Sequence, residues 1–269
     1  MAEHIEDIAG QPIFWRSAAA PSRGAPPVLY VHGVPDSSAT WEPFLERTGG
    51  LAPDLPGFGR SSKRGDLDYS IAGYVAFLEA FLARVGVGRF SLVAHDWGAV
   101  GLALAQRMPE RVARIVAINV VPLLPGYQWH RIARAWRTPV VGELAMGFTV
   151  KPVLRRAARE FTAAPGAERD ALVERIYEHF DQGTQRAILK LYRSAPPTAL
   201  ADAGARLGDV RSPALVLWGD RDPYLPARFA DGLAAALGDA RACHLDDAGH
   251  WPWLDRPAVV DEVATHLAG

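Results

Sequence analysis

Residues 93–99, Val93-Ala94-His95-Asp96-Trp97-Gly98-Ala99, read VAHDWGA: an apolar run broken by a carboxylate and followed at once by small residues able to open a helix. A charged side chain at the end of a buried strand is costly unless something compensates it. The run that precedes it, from Phe90 to Ala94, has the length of a buried strand, and a helix is expected from about Gly98 to Met108, stopped by Pro109.

The same strand-then-loop unit recurs on both sides of this stretch. Apolar runs at 28–31, 51–55 and 115–118 end at His32-Gly33, Pro56-Gly57 and Asn119. Between them, Ser70 precedes Ile71, Tyr74, Val75, Leu78, Phe81, Leu82 and Val85, a spacing of three and four that marks an amphipathic helix with an N-cap, closed by Gly86. Short strands alternating with helices imply a parallel sheet with crossover helices, whose ligand site lies at the carboxyl edge of the strands.

From Pro122 to about Gly208 the pattern changes to arginine-studded helical segments such as 129–136 and 170–180, with no good strand. Strand patterns resume at 214–218 and 242–245, before a final helix near 258–267. The expected organisation is a core of residues 1–121 and 209–269, with a helical cap of residues 122–208 inserted after the sixth strand. Such a cap would lie over the loop edge and exclude water.

Bulk properties exclude several classes. With 269 residues, 49% of them hydrophobic, the chain can bury one large core. A formal net charge of −1 offers no footprint for nucleic acid or an anionic membrane surface. The single cysteine, Cys243, forbids an intrachain disulfide and reads as a small core residue. No basic-then-apolar leader and no window of about 20 apolar residues occurs, so the expectation is a cytoplasmic protein, monomer or homodimer. His130, His179 and His244 lack metal-ligand spacing; no metal and no cofactor is expected.

Three loops carry residues that belong together. Asp96 follows one strand, Asp222 follows a later one in Gly219-Asp220-Arg221-Asp222, and His250 follows the last in Gly249-His250-Trp251. Nucleophile, acid, histidine is the chain order of the α/β-hydrolase arrangement, in which the nucleophile sits on a strand-to-helix elbow. Ala94-His95-Asp96-Trp97-Gly98 resembles that elbow with aspartate in place of serine, as in the epoxide hydrolase and haloalkane dehalogenase branch. His32-Gly33-Val34-Pro35, the stretch 54–62 and Gly249-His250-Trp251 support the resemblance, which spans nearly the whole chain.

The resemblance implies an α/β-hydrolase fold with a mostly parallel eight-stranded sheet and no cofactor. It implies Asp96 as nucleophile, His250 as base, and Asp222 rather than Asp220 as the histidine's partner. A carboxylate with an ordinary pKa is already ionised at pH 7 and needs no base to attack. Its attack on an ester carbonyl would give an anhydride, whereas attack on a saturated carbon gives an ester that activated water can hydrolyse. The motif places the N–H groups of Val34 and Trp97 as the oxyanion hole.

The leaving group separates two readings. An epoxide oxygen needs a tyrosine donor, for which Tyr192 resembles the tyrosine late in the cap of epoxide hydrolases, with Tyr127, Tyr177 or neither as its partner. A halide needs two N–H donors: the Trp97 indole, and Trp129 or Trp136 from the cap. One dehalogenase group carries Asn after His-Gly and Glu after the next strand, where this chain has Val34 and Asn119, yet residues 37–41 look dehalogenase-like. The expected function is opening of an epoxide to a diol, with haloalkane dehalogenation as the alternative and a ligand-binding scaffold as the non-enzymatic one. The expected partner is a small organic molecule together with water, with no nucleic acid and no membrane.

Overall fold

The computed structural model describes residues 1–20 and 24–269. Strands β1 (Ala2–Asp7), β2 (Pro12–Ala18), β3 (Val28–Val31), β4 (Gly50–Pro53), β5 (Phe90–Asp96), β6 (Val112–Val120), β7 (Ala214–Gly219) and β8 (Ala240–Leu245) form one sheet. Their order is β1-β2-β4-β3-β5-β6-β7-β8. Pairing is parallel from β4 to β8, and β1 and β2 add an antiparallel hairpin at one edge. The fold is therefore the expected mostly parallel eight-stranded α/β-hydrolase sheet.

β3 lies between β4 and β5, with Leu29 opposite Leu51 on one side and Leu92 on the other. The chain reverses its direction of winding here, so the loops leaving β3 and β5 emerge side by side at the carboxyl edge. That is the crevice in which open parallel sheets bind ligands. Every residue of β5 is buried, as a central parallel strand covered on both faces requires.

Helices α1 (Glu42–Thr48), α2 (Ile71–Arg84) and α3 (Val100–Ala105) connect the first strands. Ser70 caps α2 by accepting from the Gly73 N–H at 3.1 Å. The helix expected from Gly98 to Met108 is shorter than its sequence pattern. Trp97–Ala99 form a tight 3-10 turn, α3 ends at Ala105, and Met108 has left the helical region (φ −141°, ψ 55°), which the residue before a proline disfavours.

Between β6 and β7 come α4 (Arg131–Arg137), α5 (Val141–Gly147), α6 (Lys151–Phe161), α7 (Gly166–Glu178), α8 (Gln182–Ser194) and α9 (Pro197–Ala203), with no strand. The chain closes with α10 (Arg228–Ala236), α11 (Pro252–Asp255) and α12 (Val259–Ala268). Cys243 is half-buried rather than a core residue, because β8 is the outermost strand of the sheet. Among the described residues no helix is long and apolar enough to cross a membrane.

Candidate active site

β5 delivers Asp96 to the carboxyl edge in a strained conformation, φ 50° and ψ −119°. A non-glycine residue held there costs about 1–3 kcal/mol and persists only where its surroundings over-determine it. The surroundings here are small residues. A Cβ on Gly98 would lie 2.1 Å from the Val31 carbonyl oxygen, and one on Gly33 would lie 2.4 Å from the Asp96 Cβ. Their glycine identity lets the elbow and the β3 loop approach.

The Asp96 Oδ1 accepts the Val34 N–H at 2.8 Å, and the Trp97 N–H also holds the carboxylate. Burial pushes the Asp96 pKa above the ordinary carboxylate range, while the charge of His250 and the two N–H groups pull it back. The carboxyl is thus less acidic than the unperturbed side chain assumed from sequence, with the donors around it opposing that rise.

His250 sits between two carboxylates. Its Nδ1 is 2.6 Å from Asp222 Oδ2 and its Nε2 is 3.6 Å from Asp96 Oδ2. The Nδ1 contact fixes the tautomer, leaving Nε2 toward Asp96. Burial alone would lower the imidazole pKa, but Asp222 and then Asp96 raise it above its usual value. Asp220, two residues before Asp222, faces solvent and meets His244 at 2.7 Å instead.

Asp222 keeps its charge despite burial, because His250 and several hydrogen bonds hold its pKa below the usual range. Its Oδ1 accepts the N–H groups of Tyr224 (2.8 Å) and Leu225 (3.1 Å). Asn119 donates from Nδ2 to Asp222 Oδ2 at 2.7 Å and accepts the Gly219 N–H on Oδ1 at 2.8 Å. In the sequence Asn119 marked only the absence of a glutamate. Its position at the end of a strand beside β7 was the available signal that it holds Asp222.

The motif histidines hold loops together. His32 donates from Nδ1 to the Gly33 carbonyl at 2.7 Å and accepts the Leu55 N–H on Nε2 at 2.9 Å. His95 donates from Nε2 to the His250 carbonyl at 2.7 Å, and burial pushes its pKa down to about 3, so it is neutral. Asp54 accepts the N–H groups of Ser38 (2.6 Å) and Arg60 (2.7 Å). Asp36, also on the β3 loop, accepts from Ser37 N–H (2.9 Å), the Trp251 indole (3.1 Å) and Arg175 Nε of α7 (3.2 Å). One buried carboxylate thereby ties the inserted helices to the residue after His250.

A cavity of about 220 Å³ opens on Asp96 and His250 and runs beneath the inserted helices. Tyr192 lines it, with its ring edge-on to Trp97 at 5.2 Å. Burial raises the Tyr192 pKa well above its usual value, and the charge of Asp96 raises it further, so the phenol keeps its proton. Tyr127 is buried, its hydroxyl has no hydrogen-bond partner, and burial and the charges of Asp96 and Asp222 likewise hold it protonated. Tyr177 is half-buried, stacks on Phe180 at 6.4 Å and does not line the cavity.

The tryptophans divide as well. The Trp97 Nε1 is buried without a hydrogen bond of good geometry, but it lies close enough to the Tyr192 hydroxyl to oppose in part the rise of that phenol's pKa. The Trp129 indole is committed to the Ala195 carbonyl at 2.8 Å, whereas Trp136 lines the cavity. Sequence reasoning missed three polar residues of the wall, His130, Thr149 and Tyr224.

A family model described as the alpha/beta hydrolase fold matches residues 26–257. A haloalkane dehalogenase of Bradyrhizobium diazoefficiens is 29% identical over 303 residues, covering 100% of this chain and 97% of that protein. An epoxide hydrolase of Caballeronia sordidicola is 27% identical over 286 residues, covering 88% and 85%. The crystal structure of DBJA superposes with a TM-score of 0.83 at 28% identity, covering 100% of this chain and 97% of that one. The sheet order, the elbow and these likenesses agree, and the chain belongs to the α/β-hydrolase family, a hydrolase with haloalkane dehalogenases and epoxide hydrolases among its relatives.

Proposed function

We propose that the protein hydrolyses an epoxide to a vicinal diol through a covalent ester on Asp96. The observation that carries this reading is a phenol kept protonated beside the nucleophile: Tyr192 lines the same cavity as Asp96 and His250. A neutral phenol supplies the proton that a departing alkoxide requires.

Asp96 Oδ1 is taken up by the Val34 N–H, so Oδ2 is the oxygen that attacks. The new C–O bond forms as the epoxide C–O bond breaks, and the electron pair on the departing oxygen takes the Tyr192 proton. His250 then removes a proton from water, and the hydroxide adds to the Asp96 carbonyl carbon. The N–H groups of Val34 and Trp97 receive the charge that develops on Oδ1. Collapse expels the diol oxygen, which takes the proton from His250, and the Asp96 carboxyl proton returns to Tyr192. The inserted helices act as a lid that keeps bulk water from the ester.

Ester formation also prepares the base. It neutralises Asp96, one of the two carboxylates that raise the His250 pKa, and so lowers that pKa when a neutral imidazole is needed.

Halide as leaving group is the second reading. It is favoured by the buried indole N–H of Trp97, which makes no hydrogen bond of good geometry, by Trp136 on the cavity wall, and by the named dehalogenase relatives. A panel of epoxides and haloalkanes, scored for diol and halide, separates the two. With a turned-over substrate, His250→Gln accumulates an adduct on Asp96 visible by mass spectrometry; only unmodified protein would refute the covalent route.

A further inference from the structure

The cavity wall is mostly apolar, with Ile132, Leu154, Phe161 and Ile176 among its residues, and among the described residues no lysine or arginine lines it. Besides Asp96, His250 and Tyr192, the wall carries the Trp136 indole, the Thr149 hydroxyl, which donates to the Ala145 carbonyl at 2.8 Å, the Trp251 indole, which donates to Asp36 at 3.1 Å, and two donors that pack against each other, Tyr224 and His130. Tyr224 follows the Asp222 loop, and its ring meets His250 edge-on at 5.4 Å. His130 comes from the inserted segment, with its ring 4.8 Å from that of Tyr224.

The His130 tautomer follows from its backbone contact. Its Nδ1 accepts the Ala133 N–H at 3.3 Å as the cap of α4, so in the neutral ring the proton is on Nε2. Burial, and then the charge of His250, push the His130 pKa down to about 4, so the ring is neutral at pH 7. Among the described residues no acceptor takes up Nε2–H, and none takes up the Tyr224 hydroxyl. A donor in an apolar wall is satisfied by a substrate that brings an acceptor, and the lack of a cation disfavours an anionic one.

We propose that His130 and Tyr224 form a polar subsite beside the triad that holds an uncharged oxygen acceptor of the substrate, an ether or carbonyl near the reacting carbon. This rests on the cavity assigned under the proposed function and narrows its substrate class to oxygen-bearing molecules such as aryl glycidyl ethers.

The test uses an isosteric pair, 3-phenoxypropane-1,2-diol and 4-phenylbutane-1,2-diol, which are the products of phenyl glycidyl ether and its methylene analogue. Binding is followed by the fluorescence of Trp136 and Trp251, which line the cavity. The wild-type protein is expected to prefer the ether by about 3- to 10-fold in Kd, the usual worth of one net hydrogen bond. His130→Ser keeps an oxygen to cap α4 but withdraws the imidazole, and should bring the ratio close to one. Tyr224→Phe keeps the ring and should reduce the ratio in part. No ether preference in the wild-type protein, or a ratio unaltered by His130→Ser, overturns the subsite. Diol formation from phenyl glycidyl ether is scored separately: a preserved binding ratio without diol leaves the subsite standing and removes the epoxide reading.

Discussion

Arg175→Met tests whether the helices between β6 and β7 are locked to the loop after β3 by charge. The Asp36 side chain is 1% exposed and that of Arg175 is 21% exposed. Removing one partner of a fully buried pair costs about 3–5 kcal/mol. Asp36 would keep two donors, Ser37 N–H and the Trp251 indole, and Arg175 is partly solvated, so about 2–3 kcal/mol is expected for this pair. With roughly 2 cal/mol/K per residue of unfolding entropy, that lowers Tm by roughly 4–5 °C.

The pH dependence has a definite sign. Arg175 helps hold the Asp36 pKa below its usual value, so its contribution is present above the unfolded-state pKa and is lost as pH falls through the folded one. In the variant, burial without the guanidinium raises that pKa. The Tm gap between the two proteins should therefore narrow in acid. Calorimetry across pH measures it, and the double variant Asp36→Asn/Arg175→Met should recover part of the loss. A Tm within 1 °C of wild type at pH 7, on the same roughly 2 cal/mol/K scale, would show that the pair does not stabilise the fold.

Tyr192→Phe should slow ester formation from an epoxide by about 10²- to 10⁴-fold, the usual worth of a general acid; an unchanged single-turnover rate moves the donor to another residue. Asn119→Ala leaves the Gly219 N–H without its acceptor and Asp222 short of one donor. It should destabilise by about 1–3 kcal/mol in denaturant titration, and rapid-quench kinetics should show ester hydrolysis slowed more than ester formation. Ester hydrolysis should rise with pH through a pKa lower than the one His250 shows by NMR in the free protein. Coincident values would mean that Asp96 does not raise the His250 pKa.

The fold was legible where local pattern suffices. Runs such as 28–31 and 214–218 are buried parallel strands that read as continuous apolar stretches. β1 and β2 escaped that reading, because β1 is a largely exposed edge strand rich in charged residues that looks like loop, and the apolar run of β2 is only the three residues Ile13-Phe14-Trp15. The reach of α3 was overestimated, since the strained turn at Asp96 and the bend before Pro109 shorten it from both ends.

By itself, the sequence determined which residue types stand at the ends of the strands and in what order: Asp96, Asp222 and His250 are marked by short motifs whose glycines and flanking apolar runs are local. Tertiary structure decided which side chains meet. Asp220 and Asp222 are two residues apart on one loop, and only the placement of β8 sends one to His244 and the other to His250. The Trp129 N–H is consumed by Ala195, 66 residues away, Arg175 reaches Asp36 across 139, and Asn119 meets Asp222 across 103. Those pairings depend on which strands become neighbours and on how the helices between β6 and β7 pack on one another and on the sheet, long-range outcomes that local spacing does not encode.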